Sequence, residues 1–281
     1  MKNVLLASFT LLCFSASAQI KSAKNLQLQK GQKINVQMTN SSDTDMGMGM
    51  SMKNNSENTS ILTVTGENEK EYILTNTLTK LKLTVEGMGQ SQDYDSEKES
   101  DKNSEIGKAL GDAIGKSVDV NVNKLSGAPI YTKLDSGPEK PQVNPVEGMM
   151  SAFGSQEPSV GGAFLIIPAG KKVGDTWTEI DSTNDKKETK VYSLKSVNGN
   201  MAQLTFKSDL TANTNVGVSG NDMLVQMNIK NTGDVTSDIS TGLVSKRTTL
   251  SDVTGTLEIQ GQSLPITSKS NTTVVYTLLK N

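Results

Sequence analysis

The 281-residue chain contains no histidine and a single cysteine, Cys13. Histidine is the commonest general base and metal ligand at neutral pH, so its absence removes most hydrolytic triads and the usual zinc sites. One cysteine makes no intramolecular disulfide and no Cys-ligated zinc. Aromatic residues are 4% of the chain, with one Trp, so large anchors are scarce and aliphatic residues must build the core. The net charge of −2 comes without any basic block, which excludes the electrostatic footprint of a nucleic-acid partner. After the first 18 residues no apolar run nears the ~20 residues that span a bilayer, so the mature chain is expected to lack a transmembrane helix. No Gly-x-Ser-x-Gly elbow is present, and Gly107-Lys108 lacks the glycine spacing and following Ser/Thr of a phosphate loop. The expectation is a protein without catalytic residues or cofactors.

What the chain does contain begins with an export signal. Lys2 supplies a positive start, residues 4–14 a short apolar stretch, and Ala16-Ser17-Ala18 a small-residue cleavage site. Cys13 offers a lipoprotein signal as the alternative, but Leu12 before it is large where a small residue is expected, so Cys13 is expected to leave with residues 1–18. Residues 19–281 then form one β-rich domain with a helical insertion at about 104–154. Such a signal predicts export, to the periplasm or the cell surface.

The interior reads mostly as strands. Over residues 25–39 Leu26 and Leu28, then Ile34, Val36 and Met38 alternate with polar residues across a turn at Lys30-Gly31-Gln32, as two strands or one long bent strand; residues 40–45 read as a turn. In residues 72–85 the alternation slips phase, with Leu74 and Leu78 of one parity and Leu81, Leu83 and Val85 of the other. A bulge near Thr79-Lys80 reconciles them. Residues 89–103 are acidic and aperiodic, hence a loop. Ile106, Ala109, Leu110, Ala113 and Ile114 make one helical stripe behind a Ser104 cap, and Gly107, Gly111 and Gly115 allow close approach. A second short helix is expected from Pro145, with Asn144 as cap and Val146, Met149, Met150 and Phe153 as its stripe. After Trp177 the chain is almost all strand with short connections, including Asn198-Gly199, Gly217 to Asn221, Asn231-Thr232-Gly233 and Gly261 to Ser263. Short connections mean antiparallel pairing.

Two features are candidate binding sites. Met46, Met48, Met50 and Met52 alternate with Gly and Ser; on a strand they share one face. They suit the lining of a core or cavity, an exposed apolar hairpin, or a soft-metal site for Cu(I). Trp177 follows the turn Pro168-Ala-Gly-Lys-Lys-Val-Gly-Asp-Thr and is a core anchor or a ligand-stacking ring. The carboxylates Asp93, Asp95, Glu97, Glu99 and Asp101 read as solvated surface, with a weak calcium-type oxygen site as the alternative.

The order of parts resembles a family of uncharacterised exported proteins common in Bacteroidota. The residues that carry the resemblance are Gly31-Gln32-Lys33-Ile34-Asn35-Val36, Tyr94-Asp95-Ser96, the Pro168 to Trp177 segment and Thr241-Gly242-Leu243-Val244. It implies an address and an architecture, with no catalytic residues to transfer, and looks like the half-barrels of periplasmic lipoprotein carriers. The expected fold is mainly β: a long-stranded curved antiparallel sheet, or open half barrel, with two short helices covering one side. The expected function is non-enzymatic binding of an apolar small molecule such as a lipid in a Met/Val-lined concavity. A structural module with a filled core that contacts envelope proteins, and Cu(I) binding through the methionine run, are the alternatives.

Overall fold

In the computed structural model the described residues are 22–47, 49–87, 89–110, 113–130, 158–183, 186–218, 221–259 and 262–280. Alternation of apolar or small side chains with polar ones builds twelve strands: β1 (Lys33–Asp45), β2 (Ser51–Glu67), β3 (Glu71–Gly87), β4 (Gln90–Asp95), β5 (Ser117–Asn123), β6 (Pro129–Ile130), β7 (Thr176–Ser182), β8 (Lys186–Asn198), β9 (Met201–Val218), β10 (Asn221–Asp238), β11 (Val244–Ile259) and β12 (Gln262–Leu279). They form one antiparallel sheet in the order β6-β5-β3-β2-β1-β12-β11-β10-β9-β8-β7, with β4 paired to β3. The sheet is not closed into a barrel. Short helices α1 (Glu99–Lys102), α2 (Glu105–Leu110) and α3 (Pro158–Gly161) accompany it.

Directly paired residues in an antiparallel ladder share a face. The register therefore defines an inner face that carries Ile34, Val36 and Met38 of β1, Tyr276 and Val274 of β12, Leu204 and Phe206 of β9 and Leu194 and Tyr192 of β8. Leu26, Leu28, Phe164, Leu165 and Ile167 join these strands in the main core. Two consecutive residues show how strongly the sheet curls at this end. The Leu26 amide donates to the Lys124 carbonyl beyond β5, and the Gln27 amide donates to the Thr241 carbonyl between β10 and β11. Adjacent residues reach about 10 Å between such partners. Strands β5 and β11 stand five steps apart in the sheet, about 24 Å if it were flat. The sheet rolls around residues 22–28, and the half barrel has a closed end filled with apolar side chains.

Several local readings hold and others change. The bulge at Thr79 is present, since Thr59 pairs with Lys80 and Ser60 with Leu78. Ser104 caps α2 by accepting from the Gly107 amide at 2.9 Å, and Leu110, Ile106 and Ile114 pack on Leu81, Leu83 and Tyr94. A side chain at Gly107 would collide with the Asp101 carbonyl, which is why glycine sits there. Residues 40–45, expected as a turn, continue β1, because their inward partners are themselves polar. Residues 89–103, expected as a loop, form β4 and α1. Asn231-Thr232-Gly233, expected as a connection, lies inside β10. The helix expected from Pro145 lies outside the described residues.

Candidate functional site

Moving along the inner face away from the closed end, the side chains change character. Around Phe206 the register row still contains Tyr192 and Trp177. Past Gly233 the same row turns polar, through Thr249, Thr272, Asn40 and Ser56, and the next row is polar from Ser208 through Asn231, Ser251, Ser270 and Ser42 to Asn54. Asn40, Ser42, Asn54 and Ser208 are buried. Part of this belt satisfies itself. Thr272 donates to Asn40 at 2.8 Å, Asn231 Nδ2 donates to Ser208 at 2.9 Å, and Thr44 shares a 2.8 Å bond with Ser268. Beyond the belt, Leu210, Val225, Met227, Ile229 and Ile266 form a second apolar cluster, separate from the main core.

The inner face also leaves polar atoms without partners. Among the described residues, Asn54 Oδ1, Ser60 Oγ, Asn76 Oδ1 and Arg247 Nε are buried, lack a hydrogen bond and belong to inward-facing positions. Such groups cost free energy unless something satisfies them. Arg247 is the only arginine of the chain. It faces inward opposite Val274 and Val235, with its guanidinium carbon 5.1 Å from the Phe206 ring centroid. Burial pushes the neighbouring Tyr276 phenol well above its ordinary range, against the pull of the Arg247 charge.

At the β7 edge the inner face is charged. Lys190 and Lys186 lie 3.3 and 3.6 Å from Glu188. Burial pushes the Glu188 carboxyl up, but the two ammonium groups and a hydrogen bond with Ser208 outweigh it, and its pKa falls below the ordinary value. Trp177 is 9% exposed. Its ring stacks on Tyr192 at 5.3 Å, its indole N–H donates to Glu179 at 3.2 Å, and the Lys171 ammonium stands 5.9 Å from the ring.

The methionine run occupies a different place. Between β1 and β2 the Met46 N–H donates to the Met50 C=O and the Met50 N–H to the Gly47 C=O, each at 2.9 Å, so the chain turns here. Gly47 and Gly49 take the left-handed conformation, φ 73° and 77°, which the turn demands of glycine. The strand reading is thus corrected for the described methionines of the run: among Met46, Met50 and Met52 only Met52 stands in a ladder, opposite Thr44. Met46, Met50 and Met52 are half-buried at the hairpin tip, and Met48 lies outside the described residues. No group of three or more Asp, Glu, His or Cys among the described residues is placed to hold a metal. The structure therefore does not bring Trp177 and the methionines into one site by register. Asn40, Ser42, Asn54 and Arg247 were missed as site residues, although the uniqueness of Arg247 was visible in the sequence.

Two depressions described on the sheet lie on its outer face. One, of about 520 Å³, is bordered by Thr39, Ser41, Glu57, Lys82 and Thr84. The other, of about 320 Å³, is bordered by Lys195, Gln203, Asp234, Thr236 and Lys246. Both are polar and charged.

A family model for a family of unknown function, DUF6263, matches residues 69–244. The chain belongs to that family. The matched segment runs from the start of β3 to the start of β11 and takes in Phe164 and Trp177; the methionine hairpin and Arg247 fall outside it. No curated protein matches the sequence. Among solved structures the chain is similar to lipovitellin at 12% identity and TM-score 0.46, covering 90% of this chain and 26% of that one. An outer membrane channel from Pseudomonas putida F1 aligns at 9% identity and TM-score 0.22, over 92% and 100% of the two chains. OccK5 of Pseudomonas aeruginosa aligns at 8% and 0.25, over 90% and 99%. The chain thus spans about a quarter of lipovitellin's length, and likenesses at these scores carry no functional argument. No helix among the described residues is long and apolar enough to cross a membrane.

Proposed function

We propose that this protein is an exported, non-enzymatic binding protein whose inner face holds an amphiphilic, lipid-like molecule. The observation that carries the reading is the second apolar cluster, Leu210, Val225, Met227, Ile229 and Ile266, set beyond the polar belt and apart from the main core. A protein that needed only a filled core would gain nothing by interrupting it with Asn and Ser, since each buried polar group must be satisfied to avoid a cost of roughly 1–3 kcal/mol. An amphiphile matches the sequence of surfaces: its polar end meets the belt and its apolar end covers the outer cluster. This revises the Met/Val-lined concavity to one with a Ser/Thr/Asn wall and a Leu/Ile/Met end. The basic, apolar and small-residue regions of residues 1–18 support an envelope address.

The test is native mass spectrometry of the protein purified from its own envelope. A lipid-sized adduct, lost on denaturation and weakened by Leu210→Asn with Ile229→Asn, is the expected result. A bare mass for the wild type, or an adduct indifferent to the double substitution, would sink the reading.

A further inference from the structure

Resting on that reading, we infer that Arg247 anchors the ligand by an anionic head, a carboxylate or a phosphate, which makes the ligand class an acidic amphiphile. The chain carries 28 Lys and Arg, of which Arg247 alone is arginine. The remaining cations are lysines, compact and strongly hydrated charges suited to an exposed surface. A guanidinium differs in kind: its planar fork binds carboxylate or phosphate through two parallel hydrogen bonds and tolerates partial burial on an aromatic ring. Arg247 has both features of such a site. It rests over Phe206 at 5.1 Å, and its Nε is buried without an acceptor.

No carboxylate among the described residues fills that role. Among the described residues Arg247 makes no ion pair. The inward positions flanking it on four strands are Leu204, Phe206 and Ser208, then Val235, Gly233 and Asn231, then Thr249 and Ser251, then Val274, Thr272 and Ser270. None is acidic. Asp234 and Asp252 on the same strands have the opposite parity and face outward. Inward acids Glu179 and Glu188 stand apart on β7 and β8; Glu179 accepts from the Trp177 indole, and Glu188 is engaged by Lys186, Lys190 and Ser208. A half-buried cation without a counterion is costly in isolation, and an anion arriving from outside relieves that cost.

Position along the strand gives the ligand its direction. Arg247 lies where the main core gives way to the polar belt. Thr249 and Ser251 follow it on β11, and Val253 packs against the outer apolar cluster. The six residues from Arg247 to Val253 span about 20 Å of strand. An acidic group at Arg247, a hydroxylated linker along the belt and an acyl tail over Leu210, Met227 and Ile229 fit that order.

Three probes separate the possibilities: 1-oleoyl lysophosphatidate, oleate and 1-oleoylglycerol. They share one tail, and the last lacks the charge. Each is titrated below its critical micelle concentration into wild type, R247K and R247M. Wild type should bind at least one acidic probe about tenfold or more tighter than the glycerol ester. R247M should bring the probes to parity, and R247K, which keeps charge without the fork, should fall between. Preference for lysophosphatidate over oleate assigns a phosphate; the reverse assigns a carboxylate. Binding of all three equally by wild type, or an acidic preference that survives in R247M, overturns the anchor and leaves the amphiphile reading standing. Failure of all three to bind wild type overturns both. Should R247M not fold, the loss of preference in R247K decides the matter.

Discussion

Trp177 and Gly233 show how single residues set the shape of the inner face. Trp177 ends the core at the β7 edge, stacked on Tyr192 and 9% exposed. Trp177→Ala should cost about 3–5 kcal/mol in urea unfolding followed by circular dichroism, and Trp177→Phe distinctly less, because the stack survives. An alanine variant as stable as wild type would mean that the ring is not an anchor. Gly233 was read from the sequence as part of a turn. It is instead an inward strand position beside Phe206, where an added Cβ would run into the Thr248 carbonyl and meet the Phe206 ring at 2.8 Å. Its role is to let Phe206, and the Arg247 guanidinium above that ring, lie flat on the sheet. Gly233→Ala should cost about 1–3 kcal/mol through displaced backbone and side chains, read by the same unfolding measurement.

Individual elements differ in how far their inward side chains depart from apolar. Strand β1 was legible up to Met38 and lost after it, since Asn40, Ser42 and Thr44 point inward where a period-two reading looks for hydrophobic residues. Strand β8 carries the strongest departure, an inward Glu188 between two lysines. Its folded-state pKa is depressed, so its contribution to stability is present above the unfolded value of 4.5 and is lost as pH falls through the folded value. Glu188→Gln should therefore be less stable than wild type at pH 7, with the difference closing below about pH 4. A difference independent of pH would show that the ion pairs contribute nothing. The methionine hairpin carries the complementary lesson. Its alternation was real, but Gly47 and Gly49 with positive φ turn the chain there, and a period of two in composition does not require a strand.

The whole molecule depends on a short irregular segment in which Leu26 and Leu28 alternate as strand residues do, yet among the described residues no strand begins before Lys33. Residues 22–28 bind the β5 end through Leu26 and the β10–β11 turn through Gln27, and Leu26 is fully buried. They act as a clasp for the roll of the sheet. Leu26→Ala should cost about 2–5 kcal/mol. A chain lacking residues 22–28 should show a larger radius of gyration by small-angle X-ray scattering; an unchanged radius would mean that the strands hold the curl unaided.

From residue types and spacing alone follow the long antiparallel strands, the Thr79 bulge, the Ser104 cap and the turn at Asn198-Gly199. Each depends on neighbours a few residues apart, where backbone geometry and alternation act directly. The same reading excludes histidine and disulfide chemistry, because absent residues need no fold to be absent. Tertiary structure alone decided that Asn40, Ser208, Asn231 and Ser270 form one belt, and that Arg247 rests on Phe206 with no acid beside it among the described residues. Those contacts join residues far apart in the chain, 232 positions for Thr272 and Asn40. Register and curl bring them together, and both are properties of the assembled sheet rather than of any stretch of it.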